Sequence, residues 1–205
     1  MDSFILVRAP ATSAGNRARL RFLFAATCLL IATTSGLLFA SEASTAAYVT
    51  ASSIHSTPYP AYFAVDGKGD TRWASRSFQV GDPQWLTIDF GRPVSITGLR
   101  IHWERAFAAA YSLRISDDGA HWNTVYEQPD GRGNIEEITS LSARGRFLQL
   151  YCTKPGPFGL VSVWELEFMD PAVRACLAER QQAILSAKEK ELAVWKADAL
   201  RRLAS

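Results

Sequence analysis

The chain has 205 residues, 48% apolar and 20% charged, a balance that excludes a disordered chain and leaves room for one globular domain with appendages. Its net charge of +2 hides a division: residues 1–43 carry +2, residues 44–170 carry −3 and residues 171–205 carry +3. An acidic centre argues against nucleic acid as a partner, because phosphate binding requires a basic face.

The first element is "NRARLRFLFAATCLLIATTSGLLFASEAS". Arg17, Arg19 and Arg21 form a basic flank, and Phe22 to Ala40 is a run of nineteen uncharged residues. Ser41 and Ala43 then place small residues before a cleavage point after Ala43. Residues 1–43 read either as a cleaved secretory signal or as an uncleaved membrane anchor. Either reading puts residues 44–205 outside the cytoplasm: secreted or periplasmic after cleavage, or anchored with the domain outside. Membrane contact is expected only through this segment.

Residues 44–170 read as short strands separated by turns. In "QWLTIDFG", Leu86, Ile88 and Phe90 alternate with Thr87 and Asp89. "PVSITGLRIHWE" changes phase, with Val94 and Ile96 in one register and Leu99, Ile101 and Trp103 in the other; Gly98 at the change reads as a bulge. "YSLRIS" points Tyr111, Leu113 and Ile115 inward, and "DDGAHW" is a hairpin turn with Gly119 at positive φ. "TVYE", "EEITSL", "RFLQLYC" and "SVWELEF" follow, the last with Trp164, Leu166 and Phe168 on one face and Glu165 and Glu167 on the other. About eight strands fit an all-β jelly-roll sandwich.

At "MDPAV" the pattern turns helical, with Asp170 as the expected cap and Pro171 in the first position. Residues 171–205 form a helical tail without clean heptads, packed on the sandwich or leading towards a partner enzyme. Of the three cysteines, Cys28 falls in the apolar run. Cys152 and Cys176 lack a zinc pattern; Cys152 reads as a buried apolar residue, and a Cys152–Cys176 bridge is open to an exported chain.

The chemistry concentrates in "AVDGKGDTRWASR", Ala64 to Arg76. A phosphate cradle would need a lysine beside Ser or Thr and a following helix; Lys68 is followed by Gly69 and a strand-like sequence, so that reading fails. A calcium loop needs hard oxygens on a sharply turning backbone. Asp66 and Thr71 supply two, too little charge without a second acid from elsewhere; the alternative is a tight turn in which Asp66 accepts backbone N–H groups.

"AVDGKGDTRWAS", "QWLTIDFG", "ITGLRIHWERAFAAAYSLRISDDGAHW" and "VSVWELEF" resemble, in order, the discoidin or coagulation factor 5/8 type C domain, and more closely the bacterial carbohydrate-binding modules of family 32. The resemblance covers about residues 45–170 and implies a galactose-binding-like jelly roll. It also implies a structural calcium ion held by the side chains of Asp66 and Thr71, the carbonyls of Phe63 and Lys68, and the carboxylate of Glu165. Lys68 stands where the family often has another acid. Sugar-binding members use loops at one end of the sandwich. By the same likeness Glu104, Arg72 and His55 line the cleft, Phe158 is the exposed stacking ring, and Arg76 lies in a neighbouring loop. "WERAFAAAY" resembles modules that bind chitosan or β-glucan, although His55 replaces the carboxylate that would hold a glucosamine ammonium. Trp73, Trp85, Trp103 and Trp164 read as core.

The expected function is a non-catalytic, calcium-stabilised module that binds polysaccharide. The alternative is a discoidin-type protein- or lipid-interaction module, for which only Phe78 and Phe158 offer apolar loop tips. An enzyme is disfavoured because adjacent carboxylates such as Glu136–Glu137 and Asp117–Asp118 diverge and make poor acid/base pairs.

Overall fold

The computed structural model describes residues 48–203. The signal-or-anchor segment, residues 1–43, lies outside them. In chain order the elements are β1 (Val49–Ala51), a 3₁₀ turn (Ala61–Val65), β2 (Trp73–Ala74), β3 (Gln84–Ile96), β4 (Leu99–Trp103), β5 (Ala108–Ser116), β6 (Asn123–Gln128), β7 (Ile135–Ile138), β8 (Ala143–Pro155), β9 (Ser162–Phe168) and α1 (Pro171–Leu203). One antiparallel sheet runs β1-β3-β8-β5-β6 and the other β2-β9-β4-β7.

Period-two alternation gives each sheet one apolar face, and the two faces pack together as a sandwich. Register sets Leu86 and Leu113 on either side of Leu150, and Ile88 and Ile115 on either side of Leu148. The other sheet contributes Leu99, Ile101, Trp103, Val163, Leu166 and Phe168, all buried. Phe90 and Phe168 close the contact edge to face, 5.6 Å between centroids. Gly119 takes φ 76° in the hairpin turn, as its position in "DDGAHW" requires.

Gly98 does not make a bulge. The chain passes there from β3 in one sheet to β4 in the other, so Ile96 and the Leu99, Ile101 and Trp103 register are buried each on its own sheet, with Val94 half-buried. A Cβ at Gly98 would lie 2.7 Å from Met169 Sδ and 2.9 Å from the Ile138 carbonyl, so any side chain here forces the corner to shift. The bulge of this segment falls between Asp89 and Val94, where Gly91 takes φ 75° and donates its N–H to Asp89.

Asp170 precedes α1, but its carboxylate accepts the N–H and O–H of Thr97, tying the helix start to the Gly98 corner. Val173, Cys176 and Leu177 bury one face of the first turns, while Leu192, Trp195 and Leu203 are exposed. No described helix is long and apolar enough to cross a membrane. Cys152 and Cys176 are both free and buried, so Cys152 is the buried apolar residue expected and the bridge left open by the sequence is not formed. Cys152 lies in the core opposite Gln84 and Tyr111, whereas the Cys176 thiol donates to the Phe90 carbonyl.

Candidate functional site

The loop after the 3₁₀ turn is organised by Asp66. Gly67 takes φ 75°, which folds the chain back so that Asp66 accepts the Lys68 N–H at 3.0 Å and the Thr71 hydroxyl at 2.9 Å. The Lys68 carbonyl lies 3.4 Å from Thr71 Oγ1. β9, the neighbour in the same sheet of the β2 strand that follows the loop, brings Glu165 to it, where its carboxylate accepts the Gly67 N–H at 3.2 Å. Phe63 sits in the preceding 3₁₀ turn, its ring edge-on to Tyr62.

Four of the five expected oxygen donors therefore meet in the fold: the carboxylates of Asp66 and Glu165, the Thr71 hydroxyl and the Lys68 carbonyl. Burial first, and then the Asp66 charge, push the Glu165 carboxyl up to about 8. Burial and the same two carboxylates push the Tyr48 hydroxyl up to about 12. Among the described residues neither carboxylate has a cationic side-chain partner. Two partly buried carboxylates with a hydroxyl and a carbonyl fit a hard cation such as calcium, which would relieve their repulsion.

The loop is continuous with a cleft. Arg72 follows Thr71, and Trp164 precedes Glu165. A bulge in β9, where Trp103 pairs with Val163 but His102 pairs with Glu165, hands the core position to Val163 and turns Trp164 to the outer face. Trp164 is thus half-buried rather than core, as is Trp85; Trp73 and Trp103 are core as expected.

The Arg72 guanidinium lies over Tyr59 at 4.3 Å and Trp164 at 5.3 Å from the ring centroids. It donates to the buried Ser162 hydroxyl at 2.7 Å and stands 3.7 Å from Glu104. Glu104 in turn accepts the Ala106 N–H at 3.0 Å. His55, Tyr59, Arg72, Glu104 and Phe158 line one cleft of about 250 Å³. A second, of about 510 Å³, is lined by Glu104, Arg105, Arg132, Asn134, Phe158 and Trp164, with Trp103 beneath. Glu104 and Phe158 border both. Phe158 is 50% exposed, with the Arg105 guanidinium 5.1 Å from its ring centroid.

Of the expected ligand residues, His55, Arg72, Glu104 and Phe158 are brought together. Arg76 is not: it pairs with Asp82 at 2.7 Å and lines neither cleft. Tyr59, Arg105 and Trp164 were not anticipated. Val163 beside Trp164 was the one hint, since either could occupy the core.

The carboxylates weighed for acid/base roles serve the fold. Glu136 accepts the Tyr111 hydroxyl and the N–H groups of Arg132 and Gly133. Glu137 pairs with Arg100, and Asp118 accepts the Ala120 and His121 N–H groups of the hairpin turn.

The sequence profile of the F5/8 type C domain matches residues 48–166. Lactadherin of Sus scrofa is 32% identical over 83 residues, 38% of this chain and 20% of that protein, so the chain spans about a fifth of that relative. Among solved structures, chitosan-binding module 2 of a chitosanase/glucanase from Paenibacillus sp. IK-5, in complex with chitotriose, is 35% identical with a TM-score of 0.56 over 60% of this chain and 95% of its own. Module 1 of the same enzyme is 33% identical, TM-score 0.55, over 60% and 93%. A Clostridium perfringens family 32 module in complex with GalNAc-β-1,3-galactose, 24% identical with a TM-score of 0.51 over 60% and 94%, shares the fold.

Proposed function

This chain belongs to the F5/8 type C domain family, and on that premise we propose that it is a non-catalytic carbohydrate-binding module, stiffened by calcium and acting outside the cytoplasm. The observation that carries the reading is the stack of the Arg72 guanidinium on the Tyr59 and Trp164 rings, beside Glu104 and the exposed Phe158 ring. Aromatic faces suit the apolar side of a pyranose, and a guanidinium–carboxylate pair suits adjacent hydroxyls. The likeness to saccharide-binding modules over nearly their whole length supports it.

The metal loop has a stated task in this reading. Thr71 and Glu165 would hold the ion, and each is bonded in sequence to one partner of the stack. Fixing them fixes Arg72 and Trp164, so the loop pre-organises the cleft. One shallow site gives roughly millimolar to micromolar affinity.

The test is affinity electrophoresis of the full-length chain through gels containing several soluble polysaccharides, with calcium or with chelator, alongside co-sedimentation with lipid vesicles. Retardation by at least one polysaccharide, weakened by chelation, is expected. Retardation by none, with sedimentation on vesicles, would replace the proposal with the lipid-interaction reading.

A further inference from the structure

The charge of the cleft identifies the class of saccharide, and this inference rests on the carbohydrate-binding reading above. Three arginines, Arg72, Arg105 and Arg132, line the two clefts, against one carboxylate, Glu104. One oxygen of that carboxylate, Oε2, accepts the Ala106 N–H at 3.0 Å with the Arg72 guanidinium 3.7 Å away, so its charge is already partly balanced. A cationic sugar would meet three guanidinium groups here against this single carboxylate. Arg132 shares its charge with Asp130 at 3.5 Å, both side chains more than four-fifths exposed, a pair that solvent screens strongly. Arg105 is different: its guanidinium lies over the Phe158 ring, and among the described residues it forms no ion pair.

We propose that the cleft selects anionic, uronate-bearing saccharides, with Arg105 receiving the sugar carboxylate beside the Phe158 stacking face. A guanidinium matches a carboxylate with two parallel N–H donors, a geometry that neither a neutral hydroxyl nor an ammonium can use. Phe158 holds the cation over its ring and is still half exposed, so a pyranose against the open part of the ring would set its carboxylate beside the guanidinium. Selectivity therefore runs opposite to that implied by the chitotriose bound to the solved module at 35% identity.

The test is titration calorimetry of the full-length chain with trigalacturonate, laminaritriose and chitotriose at fixed free calcium and two ionic strengths. Trigalacturonate binds about tenfold more tightly than laminaritriose at 0.02 M salt, and that ratio shrinks towards about threefold at 0.5 M. Chitotriose binds weakest. In Arg105→Gln, at an exposed position outside the core, the trigalacturonate-to-laminaritriose ratio falls to about threefold at low salt. Chitotriose binding tightest, equal binding of the acidic and neutral sugars, or an unchanged ratio in Arg105→Gln would each overturn the inference while leaving the module a saccharide binder. Binding of none of the three would overturn the carbohydrate reading itself.

Discussion

Glu165→Gln separates the metal loop from an ordinary turn by the sign of its effect. Without a cation, the Glu165 carboxyl is partly buried beside Asp66, held only by the Gly67 N–H, and pushed up to about 8, so at pH 7 folding must take up a proton there. An amide keeps the shape and removes that cost, so at pH 7 in chelator the variant should match or exceed the parent by about 1–2 kcal/mol, a range that allows for solvent screening of the site. Calcium reverses the order. A ligand present at a hundred times its dissociation constant stabilises by about 2.7 kcal/mol. For a domain of this size that corresponds to about 5–11 °C in the melting midpoint. The parent should gain this increment and Glu165→Gln should lose most of it. Thermal melts of both proteins in calcium and in chelator read the four corners. A variant destabilised equally with and without calcium would show that Glu165 serves only the hydrogen bond to Gly67, and the metal assignment would fall.

Asp89 accepts two hydrogen bonds from Arg146 at 2.8 Å and lies 3.6 Å from Arg180 of α1, so Asp89→Asn should lower stability by about 2–3 kcal/mol in urea unfolding at pH 7. Burial alone would raise this carboxyl; Arg146, the Gly91 N–H and Arg180 outweigh it and hold it below the usual range. Its stabilisation is therefore full above the unfolded value of about 3.9 and lost as pH falls through the folded one, and the gap between parent and variant should close at acid pH. Gly98→Ala must displace Met169 and press on the Ile138 carbonyl, costing about 1–3 kcal/mol by the same unfolding assay. Trp73→Ala, at a fully buried position, should cost about 3–5 kcal/mol, whereas Trp164→Ala should cost about 1 kcal/mol yet weaken polysaccharide retention about tenfold on affinity gels.

The contrast between these two tryptophans shows what a strand pattern conveys. Period-two alternation located the core of β3 from Leu86 to Phe90, and of β4 and β5, because the large inward residues there are apolar and their neighbours polar or small. It could not say that Ile96 and Leu99 belong to different sheets, since both phases are buried and only the topology separates them. It misplaced Trp164 for a related reason: "SVW" offers two adjacent apolar residues, and the bulge that admits Val163 to the core is set by pairing with β4, not by local sequence. Arg76 was expected in a loop neighbouring the cleft, yet it pairs with Asp82 and lines neither cleft.

The cleft itself is made of such non-local facts. Arg72 reaches Ser162 across 90 positions of sequence, and Gly67 reaches Glu165 across 98. No periodicity carries those pairings; the family resemblance brought Glu165 to the Asp66 loop but did not point to Ser162. Arg105 and Trp164 stand inside the matching motifs but no ligand role came with them, and Tyr59 stands outside; together they supply aromatic walls and a cation that forms no ion pair among the described residues. The scaffold was thus legible where one strand's burial decides it. The ligand preference resides in side chains that the sandwich brings together from separate loops.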